Sequence, residues 1–337
     1  MKPHTFASFE QYSAALHHTG FRATSLGPQR RPYTLSHVQL DEVSVQWGED
    51  GGAIVFEGAS DGAGILFFMG PNADGKLSGN GVRLNEGAVM LIPPRIEICT
   101  VALDTTRWLS AFVPFRALGD MSATTGAWDR RSCMIMQPIT SLARCVRATL
   151  VAIMNAAEAD AFDSDSRAGT AAANVLLEQT RALVGAAELP DDAHMHGRHR
   201  IPRAEIIRRA TRLLDDHVGE PVSLDELAAT TGVSLRTLNS AFREQFGISP
   251  KRYLRLRTLN QAHRDLQTAD RNTTRVTDVA TRLGIWEFGR FSHDYHALFG
   301  ELPSQTLHRT NRCFSSPLHP ARFKPITRRR RTPPRAC

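Results

Sequence analysis

Residues 224–250 match residues 276–303 of the same 337-residue chain. Leu224, Ala228 and Gly232 align with Val276, Ala280 and Gly284 at an offset of 52. Leu238, Phe242, Phe246, Gly247 and Pro250 align with Phe291, Tyr295, Phe299, Gly300 and Pro303 at an offset of 53, so one residue is inserted in the second copy's turn. A segment that recurs with its apolar and glycine positions intact folds as the same unit twice, which constrains the chain more than any bulk property does. The unit has the layout of a helix-turn-helix. In the first copy a short helix, Leu224 to Thr230, ends at Gly232, which can take the positive φ that reverses the chain; Ser234 can then cap the next helix. Leu238, Ala241, Phe242 and Phe246 follow at steps of three and four and form a buried stripe. In the second copy Val276, Val279, Ala280 and Leu283 mark the supporting helix, and Phe291, Tyr295 and Phe299 the stripe of the next; Glu287 is a poorer cap than Ser234.

The opposite face of each second helix is what remains for a partner. The first shows Arg236, Thr237, Asn239, Ser240 and Arg243, and the second Gly289, Arg290, Ser292, His293 and His296. Arginine suits guanine O6/N7 and asparagine suits adenine N6/N7, the mixture of a helix presented to the major groove of double-stranded DNA; a solvated polar face has a similar composition. Gly289 lets a helix start approach a phosphate, and Phe288 either docks inward or meets a thymine methyl. Charge favours the nucleic-acid reading. Residues 198–337 hold 26 Lys and Arg against 13 Asp and Glu, net +13, whereas residues 1–197 hold 15 against 21, net −6. The basic half is the electrostatic footprint of a phosphate binder, and the acidic half is not a DNA surface.

Over 203–309 the chain resembles the AraC/XylS family of bacterial transcription regulators. The resemblance is carried by LDELA, then Gly232-Val233-Ser234 with Arg236, Leu238, Phe242, Gly247, Ser249-Pro250 and Tyr253, and by VTDVA, Gly284, Phe291, Tyr295, Phe299-Gly300 and Pro303 in the second copy. Two departures stand out: Ile285 and Trp286 follow Gly284, where the family commonly has Gly-Phe, and Asn260 sits in the linking helix where a small or charged residue is usual. Both are read as altering the DNA sequence preferred, not the fold. The resemblance implies two recognition helices in successive major grooves, about 34 Å apart. It further implies RNA polymerase as a partner, an activator role, and a small-molecule effector held by an N-terminal domain.

That N-terminal part shows short apolar runs from about Leu35 to Pro114 (VSVQW, AIVFEG, GILFFMG, GVRLNEGAVMLIPP, IEICTVAL, WLSAFVPF), broken by turn signals such as Glu49-Asp50-Gly51-Gly52 and Asp61-Gly62. Six to eight strands in a β-sandwich or small barrel are expected; the family plan makes this a cupin-like sensor. Ile139, Leu142, Val146, Leu150, Ile153 and Ala157 share one helix face, and a second helix, Ala171 to Ala186, carries Val175, Leu176, Leu183 and Val184. The two form a hairpin that either packs on the β-domain or makes a homodimer. The fold class is thus α+β and multidomain: a cupin-like β-barrel or sandwich with a helical hairpin, then an all-α domain with two helix-turn-helix motifs. Expected boundaries are 1–135 for the sensor, 136–187 for the hairpin, 188–202 for a linker, 203–310 for the DNA-binding domain and 311–337 for a basic disordered tail.

No His lies between His37 and His194, so a metal-lined barrel lacks its ligands, and His194, His196 and His199 in the linker have no rigid setting; neither metal nor cofactor is expected. Trp47, Arg83, Arg95 and Trp108 are the candidate effector contacts, with Glu97 nearby and Arg95 the choice for an anionic ligand; the alternative places the tryptophans in the core and the arginines on the surface. Cys99, Cys133, Cys145, Cys313 and Cys337 form no Cys-x-x-Cys pair and read as free thiols, and none has the Pro-Cys-His setting of a repair methyltransferase, so no enzyme is expected. No run approaches the roughly 18 apolar residues of a membrane span, and the first residues lack a signal-peptide pattern, so a cytoplasmic location is expected. An effector-independent architectural DNA binder, its N-terminal domain serving only to dimerise, is the alternative function.

Overall fold

The computed structural model describes residues 3–16, 20–59, 63–69, 76–85, 87–93, 96–114, 134–136, 139–159, 166–186, 203–217 and 219–309. The linker 188–202 with its histidines, the tail 311–337, Asp61-Gly62, Arg95, Cys133, Cys313 and Cys337 lie outside the described residues.

The N-terminal part is an antiparallel sandwich with no closed barrel. One sheet has seven strands in the order β1 (His4–Phe6), β3 (Tyr33–Leu40), β4 (Val43–Asp50), β11 (Thr106–Val113), β6 (Ala63–Phe68), β9 (Val89–Ile92) and β12 (Met134–Met136). The other has five: β2 (Gly20–Ser25), β5 (Ile54–Ala59), β10 (Ile98–Ala102), β7 (Leu77–Gly79) and β8 (Val82–Arg83). A short helix, α1 (Phe9–Ala15), joins β1 to β2. The twelve strands among the described residues exceed the six to eight expected. The surplus comes from segments of two or three residues, too short to show a period of two, and from GVRLNEGAVMLIPP, which looks like one run and holds both β8 and β9.

Strand parity divides the core. From β9, Met90 and Ile92 point between the sheets with Tyr33, Leu35, Phe68, Ile98 and Trp108, while Val89 and Leu91 join Val43, Val45, Ile65, Leu109 and Ala111 on the outer face of the larger sheet. That outer face is covered by α2 (Ser141–Glu158) and α3 (Arg167–Gly185), whose Val146, Leu150, Ile153, Leu176 and Leu183 pack on it. The hairpin's buried apolar residues therefore pack on the β-domain, while Val175 of α3 stays exposed. Helix α3 starts four residues before the expected Ala171, because the Ser166 Oγ accepts the Gly169 N–H at 3.2 Å and fixes the first turn.

The C-terminal part comprises α4 (Arg203–Asp216), α5 (Leu224–Thr231), α6 (Leu235–Phe246), α7 (Pro250–Thr268), α8 (Val276–Arg282), α9 (Phe288–Phe299) and α10 (Pro303–His308). Helix α7 links the two repeats and is buried on several sides, through Tyr253, Leu256, Leu259, Ala262, His263 and Leu266. One of its stripes (Tyr253, Arg257, Asn260) meets the smaller sheet. The Asn260 carboxamide accepts the Ser25 N–H at 3.1 Å and donates to the Ser25 C=O at 3.0 Å. Ser25 belongs to the edge strand β2, so the side-chain amide supplies the hydrogen bonds a neighbouring strand would. Asn260 therefore holds the two domains together and lies away from the recognition helices, which corrects the expectation that its departure from the family pattern bears on DNA sequence.

Around this clamp Tyr253 donates to Glu57 Oε2 at 2.9 Å, and Arg257 donates to the Leu214 C=O at 2.8 Å and to Asp215 at 3.0 Å; Arg22 also reaches Asp215. Burial pushes the Glu57 pKa above its usual value, against the opposing charge of Arg257. A second tie runs from α9: Tyr295 bonds His263, whose Nε2 lies 3.2 Å from Glu10 of α1. Burial acts to raise the Glu10 pKa, but the hydrogen bond and charge of His263 outweigh it and hold it low. Leu26, Val55 and Val101 of the sandwich complete the join by sharing one apolar cluster with Leu238, Phe242, Phe246 and Leu259.

Asn260→Ala leaves the buried backbone N–H and C=O of Ser25 without their side-chain partner and is expected to cost about 1–3 kcal/mol in urea-induced unfolding. An unchanged unfolding midpoint would show that the Ser25 groups find other partners at no cost.

Candidate nucleic-acid interface and inner cavity

Each repeat builds its turn in the same way. Gly232 has φ +70° and Gly284 φ +72°, conformations a side chain disfavours, and each lets the following residue's N–H bond back into the preceding helix: Val233 to the Ala228 C=O at 3.2 Å, and Ile285 to the Ala280 C=O at 2.9 Å. Ser234 then caps α6, its Oγ accepting the Thr237 N–H at 3.2 Å. Glu287 at the head of α9 makes no such bond; its carboxylate lies 3.3 Å from the Arg290 guanidinium instead.

The buried stripes fix how both helices are rotated. Phe242 and Phe246 pack on Tyr253 of α7, with Phe246 and Tyr253 stacked at 4.4 Å between ring centroids. In the second copy Phe291, Tyr295 and Leu298 are buried, and Phe299, half-buried, stacks on His263 at 4.1 Å. With those faces inward, Arg236, Thr237, Ser240 and Arg243 are exposed on α6, as are Gly289, Arg290, His293 and His296 on α9. Asn239 and Ser292 are half-buried. Asn239 donates to the Leu235 C=O at 2.9 Å and Thr237 Oγ1 lies 3.0 Å from Ser234 Oγ, so both must turn to reach a base. No atom comes within 4 Å of a Cβ built on Gly289, so nothing obstructs close approach of a backbone there.

Residues beyond those singled out from the sequence also face this side. A cleft of about 910 Å³ opens between the motifs and reaches Arg22 and Leu26 of the sandwich; its walls include Lys251, Arg252 and Arg255 of α7 and Arg290 of α9, together with the acidic Glu220, Glu287 and Asp294. Burial, then the neighbouring Arg290 charge, holds the Arg255 pKa below its usual value, and Arg255 pairs with Asp294 of α9. The three α7 residues sit at spacings of one, three and four, a clue available in the sequence. Trp286, the inserted residue, is 72% exposed, and Phe288 is 39% exposed, so it does not dock inward.

The candidate effector contacts separate by strand parity. Trp108 is buried and lines a cavity of about 60 Å³ between the sheets, with Gln46, Asp50, Thr100, Ser110, Phe56 and Phe68 among its walls. Trp47 has the opposite parity on β4 and packs with the outer cluster under α2 and α3, so it does not reach this space. Arg83 is exposed on the edge strand β8, and Glu97 is exposed and pairs with Arg212 at 3.2 Å. Asp50 is fully enclosed, accepting from the Tyr12 O–H at 2.7 Å and the Trp108 Nε1–H at 3.2 Å; burial raises its pKa to about 7 despite both bonds. The Ser110 Oγ is buried with no hydrogen-bond partner. Among the described residues no group of His, Cys, Asp and Glu is placed to hold a metal, no helix is long and apolar enough to cross a membrane, and Cys99 and Cys145 are free.

A helix-turn-helix domain family model matches residues 227–309. The chain carries a helix-turn-helix domain of the AraC/XylS type. Over 102 residues it is 35% identical to the "Probable thc operon regulatory protein" of Rhodococcus erythropolis, covering 30% of this chain and 31% of that one. Over 101 residues it is 36% identical to "XylDLEGF operon transcriptional activator 3" of Pseudomonas putida, covering 30% of each. The chain thus spans about a third of the length of these relatives. Among solved structures it is similar to a "probable AraC family transcriptional regulator" from Rhodopseudomonas palustris, at 34% identity over 31% of this chain and 95% of that chain, with a TM-score of 0.29. The AraC/XylS-type domain accounts for the repeat, its capped helices and the charge of the C-terminal half.

Glu287→Gln removes the carboxylate that pairs with Arg290 and one negative charge beside the helix start, and is expected to tighten DNA binding, with a steeper salt dependence. Weaker binding in a titration at fixed salt would mean that Glu287 orients Arg290 productively. Asp50 yields a stability prediction. Its folded pKa lies above the unfolded value of 3.8, so the unfolded chain releases its proton first and stability falls as pH rises from about 4 to 7. Asp50→Asn keeps an acceptor for Tyr12 and Trp108 without this penalty and is expected to stabilise the fold at pH 8 by up to about 4 kcal/mol, at 1.36 kcal/mol per pKa unit, with little gain at pH 4. A gain that does not change between pH 4 and 8 would remove ionisation as its cause.

Proposed function

We propose that the protein is a sequence-specific DNA-binding transcription regulator whose α6 and α9 enter successive major grooves on one face of the duplex. The observation that carries this reading is the duplicated helix with one face locked inward by aromatic packing and the other free, Arg236 and Arg243 on one copy and Arg290 and His293 on the other. Arg236, Thr237, Asn239, Ser240 and Arg243, with Gly289, Arg290, Ser292 and His293, are assigned to the DNA surface. The basic wall of α7 between the motifs suits the phosphates that separate the two grooves. RNA polymerase is the partner that a regulator of this kind addresses.

The N-terminal sandwich is assigned the effector. Its inner cavity combines apolar walls with Trp108, Thr100, Asp50 and an unpartnered Ser110 hydroxyl, the composition of a small-molecule site, and its volume suits a ligand of few heavy atoms. Because the smaller sheet bears directly on α7, a ligand that shifts the strands around Val55 and Val101 has a packed route to both motifs.

The test is selection of bound duplexes from a random pool by the full chain at two salt concentrations. Two base clusters about one helical turn apart are expected. Enrichment of no sequence, with binding that only decays with salt, would leave the architectural reading. On the selected site, Arg236→Ala and Arg290→Ala are each expected to cost about 1–3 kcal/mol and to relax preference at one base position; uniform weakening on all sequences would reassign them to phosphates.

A further inference from the structure

Both recognition helices open on an exposed apolar side chain. Leu235 is the first residue of α6 and Phe288 the first of α9; they are equivalent in the repeat, at an offset of 53, and are 41% and 39% exposed. The first position of a helix readily accepts polar and acidic residues, so local structure does not call for Leu or Phe there. Each stands at the border of the helix's two faces. Leu235 is three and seven residues before the buried Leu238 and Phe242 and four before Asn239, and Phe288 stands in the same relation to Phe291, Tyr295 and Ser292. It is their exposure that sets both at the edge of the face assigned to DNA. Arg236 follows Leu235 directly, and Arg290 lies two residues after Phe288, where it pairs with Glu287 at 3.3 Å.

The major groove offers one conspicuous apolar feature, the C5 methyl of thymine. We propose that Leu235 and Phe288 are specificity-determining residues that read thymine methyl groups, one in each of two successive major grooves. The inference rests on the DNA-binding reading and adds to it the bases that two uncharged side chains select. Each half-site then contains a thymine at the position facing the start of its recognition helix, adjacent to the base or phosphate met by the neighbouring arginine.

Replacing thymine by deoxyuracil removes the methyl and leaves base pairing unchanged. On the selected duplex, single thymine-to-deoxyuracil replacements are expected to weaken binding by the full chain about fourfold at one position in each half-site, the equivalent of ~0.8 kcal/mol for one buried CH₂. Leu235→Ala is expected to abolish that discrimination in the first half-site only, and Phe288→Ala in the second only. Both positions are exposed, so thermal melting of the variants is expected to match the parent. Sequence-specific binding that ignores deoxyuracil at every thymine would overturn this inference and leave the DNA-binding reading standing. So would variants that keep the parent's discrimination, or a Phe288→Ala variant that binds both duplexes as tightly as the parent and so points to a protein docked on this residue. Absence of any sequence preference would instead sink the sequence-specific reading on which this inference rests.

Discussion

A single carboxamide, that of Asn260, joins the two halves of this molecule at their most consequential point. It sits on the helix from which both helix-turn-helix motifs hang and pairs with the backbone N–H and C=O of Ser25 on the edge of the sandwich. An apolar residue at this place would leave the Ser25 N–H and C=O buried and unpaired, and a charged one would pair with only one of them. Tyr253 and Arg257 use the same stripe of α7 to engage Glu57 and Asp215, so one helix face carries a neutral amide, a phenol and a guanidinium, each with its own counterpart. The position of the motifs relative to the sandwich follows from these pairings together with the apolar cluster shared around Val55, Val101 and Phe242.

The helix-turn-helix half was legible in the sequence because its determinants are local. Gly232 and Ser234 lie within a few residues of the helices they shape, and the aromatic stripes recur at helical spacing, so reversal, cap and buried face all follow from short windows. The sandwich was legible in kind but not in count, since β7, β8 and β12 are too short to show alternation. What could not be read is the junction. Ser25 and Asn260 lie 235 residues apart and Glu57 and Tyr253 lie 196 apart, and a lone Asn on a helix or Glu in a strand looks like any exposed polar residue until the partner is in place. Among the effector candidates, strand parity alone separates Trp108 from Trp47. Parity cannot be assigned without knowing which face of a sheet, covered on both sides, looks inward.

The two repeats are alike in backbone and unlike in surface. The first has a serine cap and a face of Arg, Thr, Asn and Ser. The second replaces the cap with a carboxylate paired to its own Arg290, empties one position to Gly289 and inserts Trp286. Duplication thus preserved what packs inward, where Phe242 and Tyr295 do the same work, and released what faces outward. That asymmetry fits a surface that reads an asymmetric sequence and is difficult to reconcile with one evolved only to hold phosphates.

The seat of Asn260 on β2 has a further consequence. An open sheet edge invites strand addition from another chain, and proteins protect such edges with charge, bulges or a covering element. Here the cover is a helix of the other domain, and the neighbouring outer face of the sheet, with Val55 and Val101, lies beneath it as well. Lifting α7 therefore does more than free the motifs. It uncovers the β2 edge at Ser25 together with Leu26, Val55 and Val101, so the helical domain also serves as a shield over apolar surface and open backbone of the sandwich.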